Sequence, residues 1–106
     1  MKLITIEVPY TEDKEADAEY ARRAVADSLA RGEAPIMSHL LYMQPGILDS
    51  SNPEQLAQGV EAARAWGSAA HETVLYCDRG ITVSMDAATD RAHREGRSVT
   101  QRTIGS

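Results

Sequence analysis

Apolar and polar positions alternate at the start of the chain and then change period. Residues 2–8, KLITIEV, alternate and are β-branched, which predicts a strand; Pro9 ends it because it lacks an amide donor. Residues 13–31 switch to helical spacing, with Ala21, Ala24, Val25, Ser28 and Leu29 on one stripe and Gly32 placed as a C-terminal cap. In the apolar run APIMSHLLYMQ, Ala34 to Ser38 reads as a short strand leading into a loop, and residues 44–52, QPGILDSSN, are loop by composition. Asn52-Pro53-Glu54 predicts a helix start: a capping side chain, a proline at the first helical position, then an acid near the positive end of the dipole. Leu56, Val60, Ala63, Gly67 and Ala70 mark one face of that helix, with Trp66 flanking it. The unbroken apolar run TVLYC, residues 73–77, suits a strand of a parallel sheet covered on both faces. A helix from Ser84 to Glu95 ending at Gly96 and a strand SVTQR complete the pattern.

The order β-α-β-α-β-α-β predicts one small domain over residues 1–106. Its class is α/β, a three-layer Rossmann- or flavodoxin-like parallel sheet with right-handed crossovers. Ligands in such sheets bind beyond the carboxyl ends of the strands. The loops expected there carry Pro9 and Tyr10, Ser38 to Gln44, and Asp78 to Ser84.

Composition narrows the function classes. A net charge of −5 argues against a long nucleic acid as partner, since such binding normally needs a basic surface. It leaves room for a small nucleotide held by backbone amides. One cysteine excludes an internal disulfide framework and suits a reducing cytoplasm. No stretch has the length of a membrane span, and MKLITIEVPY turns polar too early for a secretory signal. A 106-residue chain buries a modest core, so association into a dimer or larger assembly would help it.

Several residues carry candidate chemistry. Asp78 directly follows a predicted strand, Gly80 permits a tight turn, and Ser84 can cap the next helix, whose free amides favour an anion. A plain βα turn would use the same residues. His39 and Tyr42 stand at a strand end, where His39 can meet a ligand or simply a backbone carbonyl. No metal-ligand spacing surrounds it. His71 and His93 read as solvent-facing, and Cys77 and Trp66 as packing. Glu7 is unusual: an acid near the end of a central strand needs a partner or a function.

The segments ITIEVPY, SLARGEAPIMSHLLYMQPGILD, GVEAARAWG, VLYCDRGITVSMDAA and EGRSV together resemble a family of small phage and bacterial proteins related to nucleoside 2-deoxyribosyltransferases. The resemblance spans nearly the whole chain. It implies cleavage of the base–ribose N-glycosidic bond of a nucleotide, or of a nucleotide-derived immune signal in a phage setting, with no cofactor and commonly in a homo-oligomer. By position it assigns Asp78 to the sugar or to orienting the catalytic acid. Gly80, Thr82, Ser84 and Met85 fall in the phosphate or ribose turn. Glu7, Pro9 and Tyr10 line the pocket, and His39 and Tyr42 contact base or phosphate. The nucleophilic glutamate of the family belongs early on the following helix, at position 88, and that residue is Ala88. Asp86 lies on nearly the opposite side of the helix and is no substitute. Three readings stay open: a naturally inactive chain that binds and sequesters a small nucleotide signal, catalysis by another acid such as Asp78 or Glu7, or an engineered Glu→Ala change.

Overall fold

The computed structural model describes all 106 residues. β1 (Leu3–Glu7) and α1 (Lys14–Ala30) are followed by β2 (Ala34–Ile36) and a short α2 (Ser38–Tyr42). Then come α3 (Pro53–Ala69), β3 (Glu72–Tyr76), α4 (Val83–Arg94) and β4 (Ser98–Arg102). The four strands form one parallel sheet in the order β2-β1-β3-β4. That is a three-layer flavodoxin-like α/β fold, with the strand order reversing between β1 and β3. No helix is long and apolar enough to cross a membrane.

The two faces of the sheet differ in chemistry because side chains alternate along each strand. Ile4, Ile6 and Val8 of the β1 segment join Val74 and Tyr76 of β3 on one face. There they pack on Tyr20, Ala21 and Ala24 of α1 in a single apolar cluster. The intervening residues point the other way, toward α3 and α4. On that face Thr5 and Thr73 are 3.3 Å apart through their hydroxyls, and Arg97 donates to Thr73 at 2.7 Å. Glu7 stands beside Leu75 in the same β1–β3 register. Met85, Ala88 and Ala92 form the buried stripe of α4, as helical spacing predicts.

The caps follow the sequence closely. Asp13 accepts from the Ala16 amide, and Asn52 accepts from the amides of Glu54 and Gln55 with Pro53 at the first helical position. Gly32 and Gly96 take the positive φ values, 83° and 72°, that end α1 and α4. Three details differ from the sequence expectation. The segment after β2 is a five-residue helix rather than a loop, too short to show a periodic pattern. The N-cap of α4 is Thr82, whose hydroxyl accepts from the Met85 amide, so Ser84 sits one step inside the helix. Leu29, placed on the inward stripe of α1, is 53% exposed, because α1 ends at the sheet margin and only Ser28 turns inward there.

Candidate functional site

A cavity of about 290 Å³ opens at the carboxyl end of β1, beside the point where the strand order reverses. Glu7 and Val8 come from the strand, Tyr10 from the loop that follows, and Ser38 and His39 from the start of α2. One wall is α3, through Leu56, Gly59, Val60, Ala63 and Arg64. The opposite wall is α4, through Ser84, Ala87, Ala88 and Arg91. The residues recur at three- and four-residue steps on both helices, so each wall is one helical face. Gly59 makes room: a methyl group in its place would lie 2.3 Å from the Met43 side-chain terminus.

Glu7 dominates the electrostatics. Burial pushes its carboxyl from the usual carboxylate range up to about 7, against the opposing pull of Arg91 and Arg97. Its charge therefore changes near neutral pH. Two more polar groups at this cavity lack partners. The Tyr10 hydroxyl and the His39 Nδ1 atom are buried without a hydrogen bond. The two rings meet edge to face with centroids 4.3 Å apart. Burial raises the Tyr10 phenol to about 12 and lowers the His39 imidazole, so both stay neutral near pH 7. Arg91 pairs with no carboxylate, and Arg64 is tied to Glu61 at 3.2 Å on an exposed part of α3.

The candidate residues divide between this cavity and other places. Glu7, Tyr10, His39, Ser84 and Ala88 line it. Pro9 is fully buried behind the loop, and Met85 is core. Tyr42 accepts a hydrogen bond from the Trp66 indole at 2.7 Å. Gly80 holds the turn after β3 at φ 90°, and its amide donates to the Cys77 carbonyl. Thr82 serves as the α4 cap. Asp78 lies on the α1 side, away from the cavity. There it accepts from the Tyr20 hydroxyl at 2.5 Å and from the Ile104 amide at 3.1 Å. Those bonds, led by the one from Tyr20, hold its carboxyl below the usual range. No three His, Cys, Asp or Glu side chains converge as metal ligands would.

Residues 2–102 match the profile of a protein family described as "Domain of unknown function (DUF7768)". The chain belongs to that family. No curated protein and no solved structure matches it. The family match covers every element from β1 to β4, so the cavity is built wholly from family sequence.

Sequence reasoning missed Arg64, Arg91 and the α3 wall. Arg91 is three residues beyond Ala88, which places it on the same helical face as the residues already singled out. That spacing was the available signal. The α3 positions read as core because their small apolar side chains look alike whether they meet a sheet or a void.

Proposed function

We propose that the protein binds a small nucleoside or nucleotide in this cavity and cleaves its base–sugar bond, with Glu7 as the acid–base residue. Glu7 carries the reading: it is the one carboxylate lining the cavity, it is partly buried, and it titrates near neutrality. The resemblance to nucleoside 2-deoxyribosyltransferases supplies the bond. The volume lies at the small end of the ~300–1,000 Å³ typical of ligand pockets, which suits a mononucleotide rather than a dinucleotide.

The reaction would run through water. Protonated Glu7 donates its proton to the departing base as the C1′–N bond breaks, leaving an oxocarbenium-like sugar. Ionised Glu7 then accepts a proton from water as the hydroxyl adds to C1′. Base and free sugar leave, and Glu7 is again protonated. Ala87 and Ala88 present no side chain that could trap the sugar covalently, so hydrolysis fits better than transfer. Pairing of copies belongs to the proposal too, since Val60 and Trp66 of α3 are 43% and 44% exposed.

A second reading rests on that same pair of alanines. A cavity with a single carboxylate also suits a protein that sequesters its ligand intact. Incubation with a panel of nucleosides and nucleoside monophosphates, with chromatography and mass detection of free base, separates the two. Base release by the chain and its loss in Glu7→Gln supports hydrolysis. Release only by Ala88→Glu puts the chemistry at position 88 and leaves the natural chain as a binder. Recovery of a depleted compound intact after denaturation, with no base released, sinks the hydrolase reading.

A further inference from the structure

Two arginines line the cavity from opposite walls: Arg91 of α4, and Arg64 of α3, which is half exposed and also pairs with Glu61 at 3.2 Å. Arg91 is partly buried and has no carboxylate partner. Arg91 therefore offers an uncommitted cation to an anion that enters the cavity. The first turn of α4 opens on the same space through Ser84 and adds the positive end of a twelve-residue helix. The protein as a whole carries −5, so this is a local reversal of sign.

We infer that Arg64 and Arg91 form a subsite for an oxyanion of the ligand, and that the subsite fills together with a proton on Glu7. The inference rests on the cavity being the ligand site, and not on cleavage of any bond. Arg91 and Arg97 are the charges that favour ionised Glu7. An anion paired with Arg91 neutralises one of them, adds a negative charge, and displaces water from around Glu7. All three effects favour the protonated acid. The other charged or titratable groups lining the cavity are Arg64 from α3, His39 from α2 and Tyr10 from the β1–α1 loop. Burial holds His39 and Tyr10 neutral, so Glu7 is the cavity acid whose charge changes between about pH 6.5 and 8.5. In a hydrolase this coupling would load the acid at the moment the anion binds.

Inorganic sulfate is the probe, because its own charge is constant over that range. Titration calorimetry at about pH 6.5 and 8.5 should show affinity at least about ten-fold weaker at the higher pH. Glu7→Gln should bind at both pH values as tightly as the parent at the lower one. Arg91→Gln should lose about ten-fold or more at both. The inference is overturned if sulfate does not bind, if the parent binds equally at the two pH values, if the dependence survives in Glu7→Gln, or if Arg91→Gln binds unchanged. Base release is read separately. Proton-linked sulfate binding without base release keeps the subsite and defeats cleavage, and base release without the linkage does the reverse.

Discussion

Replacing Glu7 by glutamine should stabilise the protein, and by an amount that grows with pH. The carboxyl moves from 4.5 in the unfolded chain to about 7 in the fold, because burial favours the neutral form. Between those two values the unfolded state ionises while the native state holds its proton. Stability contributed by Glu7 is therefore fully present below pH 4.5 and is lost as pH rises toward 7. At about 1.4 kcal/mol per pH unit, the loss reaches a ceiling of about 3 kcal/mol above pH 7. Glutamine has nearly the same shape and no charge, so the variant escapes that loss. Denaturant unfolding of both proteins at pH 5 and pH 8 measures it, and every other titrating group cancels in the difference. The variant should gain less than about 1 kcal/mol at pH 5 and about 3 kcal/mol at pH 8. An equal gain at both pH values, or a loss at pH 8, would refute the claim that Glu7 is desolvated without a compensating partner. Small domains hold about 5–15 kcal/mol in total, so the effect is large enough to read without ambiguity.

Three further outcomes test separate parts of the structure. Asp78→Asn weakens the bonds to the Tyr20 hydroxyl and the Ile104 amide; it should cost about 1–3 kcal/mol in unfolding experiments while leaving sulfate binding in the cavity unchanged. Gly59→Ala gains up to about 1 kcal/mol of helix propensity. Its methyl displaces the flexible end of Met43, so stability should hold or rise while nucleotide binding, read by calorimetry, weakens. Tyr10→Phe removes a buried hydroxyl that has no partner, and thermal unfolding should show it neutral or stabilised by up to about 1 kcal/mol.

The fold was legible because its elements carry strong local signals. The β-branched run at residues 2–8 and the apolar run at 73–77 mark the two central strands, Leu3–Glu7 and Glu72–Tyr76. Asn52-Pro53-Glu54 marked the start of α3 to the residue. The short helix SHLLY escaped notice because five residues show no period and none of them is buried. The site was only half legible, for a geometric reason. Sequence places a residue at a strand end, but not on which face of the sheet it emerges. Tyr76 points to α1 and Asp78, two residues on, remains on that side, bonded to Tyr20. Glu7 follows Thr5 on the opposite face and so reaches the cavity. Asp78 and Glu7 thus stand at the ends of neighbouring strands with the sheet between their environments.

That division bears on whether the polar edge does anything. On the α1 face the fold satisfies its polar groups. Tyr76 donates to Asp27 at 2.7 Å, Arg102 pairs with Glu33 at 2.8 Å, and Arg79 pairs with buried Asp17 at 2.9 Å. Hydrogen bonds from Tyr76, Arg31 and the Gly105 amide outweigh burial and hold the Asp27 carboxyl down to about 2. On the cavity side Glu7 is pushed the other way, and the Tyr10 hydroxyl and His39 Nδ1 have no partner. Each such group costs about 1–3 kcal/mol, and each could be removed by one ordinary substitution. A sequence that pairs its polar groups across one face of a sheet has the means to pair them across the other. The cost concentrates where two arginines and a void also meet, which is where a ligand would repay it.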